Sequence, residues 1–431
     1  MKIAFVSQPW NEVTPPVLSS SIVIWTHEVV HRLVRTHDCD VVIYSKQIPF
    51  QPRTEQNGRI LYRRIRNDWQ GALYRLFDKV SKTMGWQWRS FSSSIYYLPY
   101  ILRIAYDLRQ QQCDVVHVHN MSQFVPIIRR LNPHIKIVLH MHCEWLTQLH
   151  PTQIKPRIQQ ADLVIGCSEF ITHNIRQQFP PLASRCHTVW NGVDPQRFNR
   201  RDRATESSTQ NLLFVGRISP EKGTHILLQA FEKIVTVYPN ARLTLVGSIG
   251  ASPVEFTVGL SQDSIDRALI PLYSKQYFAQ LQQSLAPSIA NRVVFTGAIS
   301  HSNLMELYQD ADVFVYPSVW NEPFGIPIVE AMAAVLPVVS TRSGGIVEII
   351  ASGKTGLLVE RNNASALANA ILRLLADAEL RTSIAKAGRR QVLEQFTWDR
   401  VAQDVLHHYQ QLCRQEPTSI EPHRSWVMAN W

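Results

Sequence analysis

The sequence predicts an α/β protein with two parallel sheets facing a cleft, and three observations carry that expectation. Short apolar runs alternate with helical stretches through the first 198 residues, the pattern of βαβ units. The alternation stops at 199–210, a polar, charged stretch without periodicity, and then a second alternating series begins. At 431 residues the chain is too long for one ordinary core, so two domains are the natural arrangement.

Taken in order, the first series reads as strands at 3–7, 40–44, 115–119, 135–141, 163–167 and 187–189, with helices at 21–34 and 95–111. The second reads as strands at 212–215, 242–246, 293–296, 313–316, 337–340 and 356–359. This divides the chain into an N-terminal Rossmann-like domain at 1–198, a C-terminal one at 211–392, and a tail at 393–431 that overlaps a helical stretch read at 387–414. Residues 248–291 are long for a connection between neighbouring strands. Only 273–285 looks helical, and the rest, rich in Ser, Pro and Gly, reads as an insertion or flap.

Composition narrows the function. The chain is 45% hydrophobic and 18% charged, with no apolar run of the ~18 residues that a membrane-spanning helix needs. Its first residues, MKIAFVSQPW, read as a strand and not as a signal peptide. Six scattered cysteines without C-x-x-C spacing argue against a zinc site or a disulfide framework and fit a reducing cytosol, so a cytoplasmic protein is expected. The net charge of +10 is uneven. Residues 53–109 hold eleven Lys and Arg against four Asp and Glu, together with Trp69, Trp86 and Trp88. Within them Leu73, Leu76, Phe77, Val80 and Met84 form a helical stripe beside Arg75, Lys79 and Lys82. Such a helix suits the surface of an anionic membrane, or equally an ordinary half-buried position with a solvated basic side. No nucleic-acid motif accompanies it, so nucleic acid is not an expected partner.

The most informative segment is 316–359. Glu322 follows the apolar strand at 313–316, and Pro323, Phe324 and Gly325 lead into a helix that carries Glu330 about two turns on. The free N–H groups at that helix start favour an anion at the carboxyl end of the strand. Two carboxylates beside an anion site suit a ligand with hydroxyls at both ends and phosphate between them, as in a nucleotide-sugar. EPFGIPIVE at 322–330 resembles the E-x7-E signature of retaining glycosyltransferases of the GT-B fold. The wider pattern is similar to glycosyltransferase family 4 and the glycosyl transferases group 1. It includes VWNGVD at 189–194, FVGRISPEKG at 214–223, the pair Gly344–Gly345, and KTGLLVE at 354–360.

The resemblance implies a metal-independent hexosyltransferase-like enzyme with no cofactor beyond its nucleotide-sugar co-substrate. The C-terminal domain would bind that donor and the N-terminal domain the acceptor hydroxyl, carried on a saccharide, a lipid-linked sugar or a polysaccharide precursor. Arg217 and Lys222 would hold the diphosphate and stabilise the charge that builds as it leaves. Glu322 would bind sugar hydroxyls near the amides of Phe324, Gly325 and Ile326, and Glu330 would bind the ribose. Glu322 as nucleophile, and front-face return guided by the departing phosphate, both stay open. His142, at the end of strand 135–141, takes the place of the histidine that contacts the sugar. His119 is a second cleft candidate and His140 lies deeper on the same face. The family's last helix usually returns to the N-terminal domain, as the 393–431 segment would. Other readings of the same residues are a sugar-nucleotide epimerase on this fold and a non-catalytic sugar- or membrane-binding protein.

Two features depart from the pattern or mimic another. The loop after the first strand reads PPVLSSSIVIWTHE, with serines and no glycine pair, although serine can still cap the following helix. Asp310–Ala311–Asp312 has the D-x-D spacing of metal-dependent glycosyltransferases, but it precedes its strand and reads as a helix-to-strand junction.

Overall fold

A computed structural model describes residues 1–13, 20–67, 80, 90–198, 209–250, 252–300 and 303–414. Its first sheet contains β1 (Lys2–Val6), β2 (Asp40–Lys46), β3 (Thr54–Asn57), β4 (Ile60–Ile65), β5 (Val115–His119), β6 (Lys136–Met141), β7 (Leu163–Gly166) and β8 (Cys186–Thr188). Their spatial order is β3-β4-β2-β1-β5-β6-β7-β8, and only β3 runs antiparallel to its neighbour. The second sheet contains β9 (Asn211–Val215), β10 (Arg242–Val246), β11 (Val293–Gly297), β12 (Val313–Tyr316), β13 (Val338–Thr341) and β14 (Leu357–Val359). It is wholly parallel, in the order β11-β10-β9-β12-β13-β14. Strands such as β5 and β12 are buried along their whole length because helices cover both faces of a parallel sheet. The strand order reverses between β1 and β5 in one sheet and between β9 and β12 in the other. Ligands of open α/β sheets bind at such points, outside the carboxyl ends of the strands.

Most expected strands and helices are present, with local differences. The hairpin β3–β4 falls inside the stretch read only as a basic patch. Thr54–Asn57 is exposed at every position, so no apolar alternation marks it as an edge strand. Pairing also reduces the free charge of this stretch: Arg64 Nη2 meets Glu55 Oε2 at 2.7 Å, and Arg63 binds Asp107 through both ends of its guanidinium. The stripe from Leu73 to Met84 lies outside the described residues apart from Val80. Helix Leu98–Gln111 starts three residues later than expected, with a proline in its first turn. Among the described residues no helix is long and apolar enough to cross a membrane.

Two helices, Ala378–Gln395 and Trp398–Arg414, occupy the stretch expected to be one. The break at 396–397 carries the chain between domains, where Val193 N–H donates to Phe396 O at 2.9 Å and Trp398 N–H to Val193 O at 3.2 Å. The last helix then packs on helix Ser21–His37, with Arg32 Nε bound to Asp399 Oδ1 at 2.7 Å. Ser20 caps helix Ser21–His37, its Oγ accepting from Val23 N–H at 3.4 Å, as the serine-rich loop allows.

Candidate functional site

The chain leaves β9 through Gly216 and Arg217, makes a short 3-10 turn at Pro220–Lys222, and enters helix Thr224–Val237. Gly223, at φ 72°, joins turn to helix; a Cβ there would lie 2.0 Å from Pro317 O. The missing side chain lets the loop after β12 sit directly on the loop after β9. That approach brings Lys222 Nζ to 2.6 Å from Glu322 Oε2, with both side chains buried. Glu322 Oε2 also takes hydrogen bonds from Trp320 Nε1 (3.0 Å), Ser318 Oγ (3.2 Å) and Tyr316 OH (3.3 Å). All four donors fall on the same oxygen. The ammonium of Lys222 stands 5.5 Å from the Tyr316 ring centroid and 5.3 Å from that of Trp320, within cation–π range.

Burial opposes the charge on both partners, and the pair overcomes it. Burial pushes the Glu322 carboxyl up, but Lys222 and the donors of Trp320 and Ser318 hold it below the usual carboxylate range. Burial likewise pulls the Lys222 ammonium down, but the Glu322 carboxylate raises it above its ordinary value. Both groups are ionised at neutral pH.

Arg217 is aimed by a residue that sequence reasoning passed over. Glu221 is fully buried, and its Oε1 accepts from Arg217 Nη2 at 2.9 Å and from Ser219 Oγ at 2.7 Å. Its Oε2 accepts from Tyr273 OH at 2.8 Å. The other end of the Arg217 guanidinium bonds to Ser252 Oγ. Tyr273 and Ser252 belong to the 248–291 insertion, whose helix Ser264–Ala268 is tied back by Arg361. That guanidinium reaches Asp263 Oδ2 at 2.6 Å, Asp266 Oδ1 at 3.2 Å and Asn321 Oδ1 at 3.3 Å, next to Glu322. The insertion is therefore a wall of the site.

Gly344 and Gly345 hold the Glu322 loop from the other side. Gly345 N–H donates to Glu322 O at 2.8 Å. Gly344 has φ 47°, and a Cβ there would lie 2.2 Å from the same carbonyl oxygen. Past Pro323 and the buried Phe324, Gly325 (φ 106°) leads into helix Ile326–Ala333. Glu330 is buried on this helix but belongs to a separate contact, accepting from Tyr308 OH at 2.8 Å. Lys222, Glu322 and Arg217 thus form one cluster, and Glu330 faces another element.

On the opposite wall, β5 and β6 pair in register with His119 beside His140. His117, His119 and His140 are fully buried, and only His142 is partly exposed, at the strand end. His119 is therefore not itself a cleft residue: it sits behind His142, with Nδ1 to Nε2 at 3.0 Å. Burial pulls the His142 imidazole down to about 3, and burial again holds the other three rings well below the ordinary histidine range. The next strand end, β7, brings Ser168 against the C-terminal domain, where a Cβ on Gly345 would lie 2.9 Å from the Ser168 Cβ. Glu348 fastens the same junction, accepting from Glu169 N–H (2.7 Å), Phe170 N–H (2.6 Å) and Trp190 Nε1 (2.9 Å). Between the walls a cavity of about 530 Å³ is lined by Glu144, Gln148, Gln178, Asp263 and Asn321 among others. Burial, with Asp266 nearby, pushes the Glu144 carboxyl up to about 7. Asp312 lies at the far edge, where its Oδ2 accepts from Asn211 N–H at 2.7 Å at the start of β9.

Two Rossmann-like sheets facing a cleft, with a charged cluster on one rim and a neutral one on the other, have the GT-B architecture. Comparison with known proteins agrees. The description "glycosyl transferases group 1" matches residues 195–391, and "glycosyltransferase family 4" matches residues 22–197. Spore coat protein SA of Bacillus subtilis is 30% identical over 320 residues, covering 70% of this chain and 80% of that protein. Lipopolysaccharide 1,2-N-acetylglucosaminetransferase of Salmonella typhimurium is 29% identical over 414 residues, covering 93% and 96%. Sucrose-phosphate synthase of Thermosynechococcus elongatus superposes with a TM-score of 0.72 at 22% identity, covering 95% of this chain and 98% of that one. Anabaena HepE, solved in complex with UDP-glucose, gives 0.64 at 19% identity, covering 95% and 100%. The chain belongs to the glycosyl transferases group 1 and glycosyltransferase family 4, and is a glycosyltransferase.

Proposed function

We propose that this enzyme is a retaining, metal-independent glycosyltransferase that moves a sugar from a nucleoside-diphosphate donor to an acceptor hydroxyl. The observation that carries this reading is the buried Lys222–Glu322 pair beside Arg217, at the carboxyl ends of β9 and β12. Two cations fixed there stabilise the charge that grows on a departing diphosphate, each contributing ~10²–10³ in rate. Glu322 Oε2 is occupied by protein donors. Oε1 is left to accept from hydroxyls of the donor sugar, and the amides of Phe324, Gly325 and Ile326, at the start of the helix that follows, are assigned to the donor with it. A carboxylate engaged in this way is a weak nucleophile, which favours front-face return, with the leaving phosphate taking the acceptor proton. Glu330 is assigned to the ribose and His142 to the sugar. The two cations supply the electrostatic role a metal would otherwise take, and Asp312 is spent on a strand start at the opposite edge.

The UDP-glucose held by HepE supports a nucleotide-sugar donor. The cavity beside Asn321, lined by amides and carboxylates, suits an uncharged polyol, and we assign the acceptor to it. The acceptor class is a saccharide, a lipid-linked sugar or a polysaccharide precursor. We further assign the enzyme to the cytoplasmic face of an anionic membrane. A groove on the N-terminal domain whose lining includes Arg53, Arg66 and Arg103, besides the Glu55-paired Arg64, supports this, since guanidinium groups pair with phosphate.

A thermal-shift screen against UDP-, GDP- and ADP-sugars tests the donor, because a ligand that binds only the native state raises the melting temperature. NMR of the product's anomeric configuration tests retention, and full activity in EDTA tests metal independence. Donor turnover without an acceptor would point instead to an epimerase. Equal partitioning to neutral and anionic vesicles at low salt would remove the membrane assignment.

A further inference from the structure

Four histidines on adjacent strands, His117 and His119 on β5 with His140 and His142 on and just beyond β6, present ring nitrogens close together. One ring nitrogen from each of His117, His119 and His140 lies within 4.8 Å of the other two, and the three rings carry six nitrogens in all. Five of these six nitrogens already hold hydrogen bonds, to Tyr409, Thr26, His142 and each other, and only His140 Nε2 has none. A metal would have to displace that network, so the cluster is better read through its protons.

The proton positions follow from one fixed end. Thr26 Oγ1 lies 2.8 Å from the Ile22 carbonyl oxygen, which can only accept, so the threonine's single proton goes there. The longer contact of Thr26 Oγ1, 3.2 Å to His119 Nε2, then takes its proton from the ring. A neutral imidazole carries one N–H, which leaves His119 Nδ1 as a bare acceptor. Its 3.0 Å contact with His142 Nε2 therefore takes its proton from His142. The same rule leaves His142 Nδ1 as a bare lone pair, and it has no protein partner among the described residues. Asn120 Oδ1 anchors the His142 backbone N–H at 2.7 Å, and the Trp25 indole lies against the rings, with centroids 5.2 Å from His119 and 6.2 Å from His142.

We propose that Thr26 and His119 are positioning residues that lock His142 in its Nε2–H tautomer, so that Nδ1 acts as an acceptor and selects a hydroxyl of the donor sugar. The selection of a sugar rests on the glycosyl-transfer reading above; the tautomer does not. A site that accepts from a hydroxyl discriminates against a sugar lacking it, because the bound sugar then covers the lone pair and leaves it unpaired.

Two measurements test this. In ¹⁵N-histidine-labelled protein, with His142 assigned from a His142→Gln variant, the expected spectrum has His142 protonated at Nε2 and bare at Nδ1. Protonation at Nδ1 in the wild type would overturn the proposal, whatever any variant does. The second uses Thr26→Val, which keeps the shape and removes the hydroxyl, with Thr26→Ser as the rescue. Thr26→Val is expected to mix the His142 tautomers and lower kcat/KM for the donor by roughly tenfold, while Thr26→Ser stays within about twofold of wild type. Against a panel of monodeoxy donors, wild type and Thr26→Val should converge at the one position that His142 reads. Equal losses on every donor would mark a merely structural role and contradict the relay. A protein that turns over no nucleotide-sugar, yet shows the expected tautomer and its loss in Thr26→Val, would uphold the relay and refute the functional reading.

Discussion

The two rims of the cleft occupy equivalent places on similar parallel sheets, yet they bury opposite kinds of group. On the C-terminal rim each cation has its own carboxylate, Lys222 with Glu322 at 2.6 Å and Arg217 with Glu221 at 2.9 Å. On the N-terminal rim no carboxylate among the described residues bonds to the four histidines, and Trp25 packs against them instead, 5.1 Å from His117, 5.2 Å from His119 and 4.9 Å from His140. In a low-dielectric interior a paired charge survives and an unpaired titratable group gives up its charge. One half of the enzyme therefore supplies fixed charge, and the other supplies neutral hydrogen bonding with defined direction. On the proposed reading, transfer of a sugar from a diphosphate uses both: charge where the phosphate leaves, and uncharged contacts where hydroxyls are told apart.

The sharpest way to break this contrast is to orphan a charge. Lys222→Ala leaves the Glu322 carboxylate buried without its cation, so turnover should fall by ~10²-fold or more. Stability should fall by about 3–5 kcal/mol, as when one partner of a buried pair is removed. The pair Lys222→Met with Glu322→Gln should restore much of the stability and none of the activity, measured by urea unfolding and donor turnover. A single variant with wild-type stability would mean that the pairing is not what holds the rim together. Next, Gly344→Ala forces a Cβ against the Glu322 carbonyl oxygen at a backbone angle that disfavours side chains. A loss of ~1–3 kcal/mol is expected, together with a raised KM for the donor, read from steady-state kinetics.

The histidine rim gives the smallest effect at neutral pH, and the sign of its effect at lower pH is fixed. Each imidazole is held neutral in the folded state below its ordinary value of 6.5, and that of His142 falls to about 3. The unfolded chain therefore binds more protons between pH 6.5 and 3. The contribution of these rings to stability should be flat above pH 6.5 and decline as the pH falls through that window, by about 1.4 kcal/mol per pH unit for each proton taken up, with the raised Glu144 carboxyl opposing it where that group takes up its proton. His140→Leu should flatten the acid limb by one proton's share. An unchanged slope would mean that these rings are not neutral in the native protein.

Much of this was legible in the amino-acid order, and what was not has physical causes. Strands such as Val313–Tyr316 announce themselves because both faces of a parallel sheet are covered. Lys222 and Glu322 were singled out through their motifs and their places after strands, and the structure pairs them. Glu221 lies between two of the named residues but was missed, since its role depends on Tyr273, which arrives from the insertion 52 residues further on. The edge strand Thr54–Asn57 is wholly exposed and carries no apolar signal. The alternation of His117 with His119, and of His140 with His142, was visible. That His119 backs His142 instead of facing the cleft needed the register of β5 on β6.

The central claim is that Arg217 and Lys222 grip a diphosphate, and Arg217 tests it most directly. Its side chain is partly exposed, so Arg217→Ala should keep the fold. Calorimetric titration of the nucleotide-sugar that stabilises the wild type should show affinity for Arg217→Ala reduced by roughly tenfold or more, in a ligand-free protein that is still folded but melts lower, because the buried Glu221 loses its cation. Equal affinity in the two proteins would contradict the account.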